Sequence, residues 1–330
     1  MTNTIKEELN ALRLPLISAP MFLSSGPDLV VACCTVGVVG TFPAHNQREA
    51  AGFEDWCIDI KSRLAAFEEE TGQKPAPYGV NLIVHKSNAK LEDELDVCIR
   101  QEVPIIITSL GAVRDLVDRV HAYGGLVFHD VINLRHARKA AEAGVDGLIA
   151  VSAGAGGHTG SANPFGLVHE IKDFYDGYVI LSGSLSTGGD IAAAQVMGAD
   201  FAYMGTRFIA TEEAMSPDDY KDMVVASDHA DILATPAVTG VNANFITTSL
   251  ENAGIDPDDL SAHGELNIND ELGEALRESN ESKPWRDIWS AGHGVGSVND
   301  IPKTADLVNR LRDEYQDATH AQSQRAEQYT

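Results

Sequence analysis

Short apolar runs recur along the first two thirds of this chain, each followed by helical spacing or an opening loop, and no other feature constrains the fold as much. The runs cover residues 14–21, 37–42, 78–83, 104–108, 126–129, 147–151, 178–181 and 201–204. Helical spacing occupies residues 27–35, 47–71, 89–101, 112–122, 133–143, 164–173 and 188–197. Most of the runs are apolar at nearly every position, as expected of strands covered on both faces. The repeated Gly144-Val145-Asp146 and Gly198-Ala199-Asp200 mark helix ends turning into the next strand. Eight βα units in roughly 200 residues predict an α/β fold, the (β/α)8 TIM barrel. An open doubly wound sheet would place dinucleotide-binding glycines after its first strand, where Ala19-Pro20-Met21 stands instead.

After Thr211 the rhythm breaks. Residues 212–285 are polar, acidic and irregular, with short β-like pieces around 237–248, and read as a smaller insertion after strand eight that covers the barrel mouth. The barrel is then built from residues 1–211 and 286–330. Apolar spacing over 285–311 predicts the last barrel helix, and the residues from Asp313 onward read as a fraying polar tail.

The chain carries 49 acidic against 24 basic residues, a formal charge of −25. Such a surface repels nucleic acid and anionic membranes, and no apolar run is long enough to span a bilayer. Dense carboxylates fit either adaptation to high salt or an ordinary acidic enzyme; unfolding with and without molar KCl separates the two. The polar start does not read as a signal peptide. Cys33, Cys34, Cys57 and Cys98 lack metal-ligand spacing and read as reduced structural thiols, so a cytoplasmic location and no metal site are expected. Assembly into a homo-oligomer is left open.

In a barrel of this kind ligands sit at the C-terminal ends of the strands. Those ends supply Ala19-Pro20-Met21, Asn81, His129, then the lean loop Ser152-Ala153-Gly154-Ala155-Gly156-Gly157 leading to His158. They continue with the run from Ser182 through Gly183 and Ser184 to Gly189, and with Met204-Gly205-Thr206-Arg207-Phe208. Small residues let backbone approach a bulky ligand, and the last two segments occupy the usual phosphate corner of the fold. His129 suits either ligand contact or a structural hydrogen bond. Tyr203 and Trp285 read as core or lid packing.

The segments GLIAVSAGAGGHTG, LSGSLSTGGDIAAAQVMGADFAYMGTRFIATEEA and the opening PLISAPM resemble the nitronate monooxygenases, formerly 2-nitropropane dioxygenases. The resemblance covers residues 14–212 and returns at Ala291-Gly292-His293-Gly294-Val295-Gly296. It implies an FMN-dependent barrel enzyme that oxidises alkyl nitronates, or nitroalkanes, with O2. Ala19, Pro20, Met21 and Asn81 would then meet the flavin ring, and Ala153, Gly154, Gly156 and Gly157 would pass along the flavin and ribityl chain. Gly183, Ser184, Gly205 and Thr206 would hold the phosphate, with His129 also placed at the flavin. His158 falls on the family's catalytic histidine, as base or as anion-binding donor. The family commonly has a second glycine where Ser184 stands and glutamine where His293 stands; His293 would border the substrate or serve a packing role. A close relative of this chemistry, an FMN-dependent NAD(P)H reductase of an enoyl thioester, enone or quinone, shares the same parts. A non-enzymatic flavin binder is the further alternative.

Overall fold

The computed structural model describes residues 4–111, 113–260 and 285–329. Eight parallel strands close into a barrel: β1 (Leu16–Ser18), β2 (Val39–Pro43), β3 (Tyr78–Ile83), β4 (Ile105–Ser109), β5 (Leu126–Val131), β6 (Gly147–Val151), β8 (Tyr178–Ser182) and β9 (Phe201–Met204). Closure comes from β9 pairing with β1, with Ile17 opposite Tyr203. Each of the eight apolar runs supplies one of these strands, so the TIM barrel expected from the sequence is the observed fold.

Side chains alternate across the strands as period two requires. Ile17, Val39, Ile107, Phe128, Ile149, Ile180 and Phe201 fill the barrel interior, with Leu9 of the helix Thr4–Asn10 packed into the same cluster. Val80, Ile106, Val127, Leu148 and Val179 point outward and bury the helices around them. Phe42, for example, packs edge-on against Phe53 of the helix Ala50–Thr71, with ring centroids 5.9 Å apart.

Three further strands make a small antiparallel sheet. β10 (Ile232–Thr235) pairs with β11 (Ala243–Ile246), and β11 pairs with the two-residue β7 (Gly157–His158). The sheet therefore joins the segment after barrel strand eight to the glycine loop after β6. Residues 261–284 of the expected insertion, including the acidic stretch 267–270, lie outside the described residues.

Two expectations near the C terminus are corrected. Residues 285–311 do not form one helix: the stretch from 285 to 303 holds turns and a short 3-10 turn, His293–Ser297, and the helix begins at Thr304. The apolar spacing that suggested a helix belongs to Ile288, Val295 and Val298, buried as loop anchors in two small clusters. Nor does the chain fray after Asp313, because the helix Thr304–Ala326 continues. Glu314 accepts a hydrogen bond from the Gly188 amide at 2.7 Å, and Tyr315 donates to Gln195 Oε1 at 2.5 Å, tying this helix to Gly188–Val196.

All four cysteines are buried and unpaired. Burial pushes the Cys34 and Cys57 thiols up to about 12, so both are protonated packing groups. Among the described residues, no helix is long and apolar enough to cross a membrane.

Candidate active site

The strand ends open into a cavity of about 570 Å3 at the C-terminal face of the barrel. This is within the range of small-molecule and cofactor sites. Of the sequence-predicted residues, Ala19, Pro20, Met21, Asn81, His129, Gly154, Gly156, Gly157, His158, Gly183, Ser184, Gly205 and Thr206 all line it. Ala153 and His293 do not.

The glycines are there because loops cross closely. A methyl group on Gly156 would stand 2.9 Å from the Gly292 nitrogen and 3.2 Å from Thr206 Oγ1. The carbonyl of Gly154, a residue at φ +86°, accepts from the amides of Ser184 (3.3 Å) and His293 (2.9 Å). Thr206 Oγ1 accepts from the Gly292 amide at 2.9 Å. The loops after β6, β8 and β9 and the late glycine segment thus form one hydrogen-bonded wall. His293 is exposed, with its ring near Gly154, while the neighbouring Gly292 and Gly294 line the cavity. Ser184 adopts φ +61°, a left-handed conformation a second glycine would take more freely. Arg207 points away, buried, and binds the side chain and carbonyl of Asp300, anchoring the late segment.

His158 is not on a free loop. It pairs as a strand residue with Ala243, while Asn244 donates to the Ala155 carbonyl at 2.7 Å. Its ring meets the Trp285 ring edge-on at 5.3 Å, and Trp285 in turn packs on Phe245. Burial lowers its pKa to about 4, so His158 is a neutral imidazole at neutral pH.

His129 lies on the outward face of β5, between Val127 and Val131, with Nδ1 2.7 Å from Thr108 Oγ1. Burial, aided by the charges of His136 and Lys139, lowers it to about 4. This geometry fits the structural alternative, although the ring also borders the cavity.

The sequence reading missed a polar layer at the top of the barrel interior. The Asn81 amide donates to the Ile107 carbonyl (3.3 Å) and to Ser109 Oγ (2.8 Å), and Ser109 donates onward to Asp130 Oδ2 (2.9 Å). The Asn81 amide nitrogen is thus engaged within the barrel. Asp130 Oδ1 is buried with no hydrogen-bond partner, and burial raises the carboxyl to about 7. Also missed was His45, after β2, whose Nδ1 stands 3.1 Å from Glu94 Oε1. That separation suits an ion pair. Burial, however, lowers His45 to about 4 and raises Glu94 to about 7, so at neutral pH the imidazole is uncharged and the carboxyl only partly ionised. No sequence pattern marks either residue; only the closing of the barrel brings them together.

The family model for nitronate monooxygenase matches residues 3–314. The chain belongs to the nitronate monooxygenase family. It is accordingly an enzyme, an oxidoreductase. Among curated relatives, a protein of Rhodococcus jostii named (3aS,4S,5R,7aS)-5-hydroxy-7a-methyl-1-oxo-octahydro-1H-indene-4-carboxyl-CoA dehydrogenase is 27% identical over 76% of this chain and 67% of its own length. A putative monooxygenase of Mycobacterium tuberculosis is 29% identical over 71% of this chain and 65% of its own. The chain thus spans about two thirds of the length of these relatives. A probable nitronate monooxygenase of Staphylococcus aureus is 23% identical over 76% of this chain and 81% of its own. Among solved structures, FabK from Thermotoga maritima superposes with a TM-score of 0.79 at 20% identity, covering 98% of this chain and 99% of that one. Nitroalkane oxidase from Streptomyces ansochromogenes gives 0.78 at 24%, covering 95% and 99%. At these identities the superpositions speak to the fold.

Among the described residues, no three His, Cys, Asp or Glu side chains converge as a metal site.

Proposed function

We propose that this chain is an FMN-dependent nitronate monooxygenase acting on alkyl nitronates, and on nitroalkanes through prior proton removal, with O2 as co-substrate. The observation that carries the reading is His158, a neutral imidazole held at the cavity wall by the small sheet and Trp285. A base must be unprotonated at working pH and within reach of the acidic C–H; burial secures the first, and cavity lining supports the second.

The residues present fit FMN. The wall is made of small side chains and crossing backbone, and Ser186 Oγ is buried there with no hydrogen-bond partner. Ala19, Pro20, Met21 and Asn81 would border the flavin ring, and Gly154, Gly156 and Gly157 its ring and ribityl chain. Gly183, Ser184, Gly205 and Thr206 would hold the phosphate. FMN, when bound, supplies the electron acceptor and the reactivity toward O2. His158 takes the proton from the carbon next to the nitro group, or donates a hydrogen bond to a substrate that arrives ionised. Asp130, its carboxyl raised by burial to about 7 and so only partly protonated at neutral pH, offers a second proton-bearing group at the barrel top.

The test is an anaerobic absorbance titration of the purified flavoprotein with propionate 3-nitronate, then of a fresh sample with NADH and NADPH. Flavin reduction by the nitronate and none by the nicotinamides is the expected result. Bleaching by a nicotinamide alone would assign the chain instead to the NAD(P)H-dependent reductases.

A further inference from the structure

The cavity wall departs from the charge of the rest of the molecule. Among the described residues its one carboxylate is Asp130, whereas Arg135, His136 and Lys139 all border it, in a chain of net charge −25. These three lie on the helix Leu134–Ala143, which follows β5. Arg135 and Lys139 are one turn apart on the same face and exposed, and neither forms an ion pair with the described residues. Helical side chains lean toward the N terminus, so Lys139 reaches back over Arg135 toward the strand ends.

Helix stability does not account for this placement. Cations in a first turn oppose the helix dipole. The helices Leu91–Arg100, Arg114–Ala122 and Gly188–Val196 each carry Asp or Glu in the first turn; Leu134–Ala143 carries none there and has Arg135 and His136. The neighbouring Arg138 is otherwise engaged, stacked 4.1 Å over the Phe174 ring.

We propose that Arg135, His136 and Lys139 form an anion subsite at the cavity mouth for a phosphorylated group. That group belongs either to a substrate carrying a phosphorylated tail or to a nicotinamide nucleotide. The inference rests on the cavity being the flavin and substrate site, not on nitronate chemistry. The subsite is separate from the Gly183–Ser184 and Gly205–Thr206 corner, since β5 stands two steps from β8 and three from β9 around the barrel. A planar guanidinium with an ammonium one turn away suits an oxygen-rich dianion better than a single carboxylate. In so acidic a molecule a local cationic patch also directs an anionic ligand to the mouth.

The experiment is calorimetric titration of the flavin-loaded protein with inorganic pyrophosphate, comparing wild type with Arg135→Ala/Lys139→Ala. Bound flavin keeps the probe off the other corner, and both side chains are exposed, so an unchanged thermal midpoint checks the fold. The wild type should bind pyrophosphate with an affinity that falls as salt rises, and the double variant should bind at least tenfold more weakly. Absence of binding, or equal affinity in the variant, overturns the proposal. Displacement of pyrophosphate by NADPH identifies the nucleotide as the source, and displacement by coenzyme A identifies a phosphorylated substrate tail. A wild type that binds pyrophosphate yet oxidises no nitronate would remove the monooxygenase reading and leave the subsite standing.

Discussion

Glu94→Gln should stabilise the protein, and more so as pH rises. Glu94 sits on the helix Leu91–Arg100 with its side chain 4% exposed, Oε1 beside neutral His45 and Oε2 without a hydrogen-bond partner. Burial moves its pKa from 4.5 to about 7. Because the folded state holds this proton more tightly than the unfolded chain, stability is lost as pH rises from 4.5 through about 7. The loss from the single-site linkage relation is about 1 kcal/mol at pH 5.5 and about 3 kcal/mol at pH 8.5. Glutamine does not ionise, so the stability difference between variant and wild type should grow by about 2 kcal/mol across that interval. The buried histidines titrate alike in both proteins and cancel. Urea unfolding of the flavin-loaded pair at pH 5.5, 7 and 8.5 measures it. A difference that stays flat with pH, or a variant destabilised most at high pH, would mean a genuine His45–Glu94 ion pair and refute the reasoning.

His158→Asn should lower turnover of neutral nitroalkanes by about 10²–10⁴-fold while flavin content is kept; full activity would exclude His158 as the base. In the wild type, kcat/KM for such a substrate should hold from pH 8 to about 5 and fall toward pH 4 as His158 protonates, which stopped-flow rates across pH would show. Gly154→Ala forces a side chain into φ +86° and within 3.1 Å of His293 Nδ1, so about 3 kcal/mol of stability and much of the flavin retention should be lost; thermal melts and flavin release on dilution measure both. Asp300→Ala leaves Arg207, 3% exposed, without its carboxylate, and urea unfolding should register a loss of about 3 kcal/mol.

The barrel was legible because its strands are buried on both faces and so remain apolar at nearly every position. Residues 78–83, 147–151 and 201–204 match the observed strands at both ends. The glycine wall was legible for a related reason, since close backbone crossings admit little else. β7 was not, because two residues, Gly157 and His158, carry no alternation and become a strand only when Ala243 and Asn244 arrive from far along the chain. Ser109 and Asp130 fall just past the runs that end at 108 and 129, and only closure of the barrel brings them together. The last helix was misplaced because Ile288, Val295 and Val298 bury apolar surface from a loop, and burial alone does not specify helix.

The pairing of β7 with β11 has a consequence for the order in which the enzyme is assembled. During synthesis the last barrel strand emerges at Met204, about forty residues before the strand that holds His158 in place. A nascent chain can therefore pair all eight barrel strands while its imidazole is still unplaced. Placement of His158 is a late event, and it depends on residues 232–246 as much as on the loop that carries it.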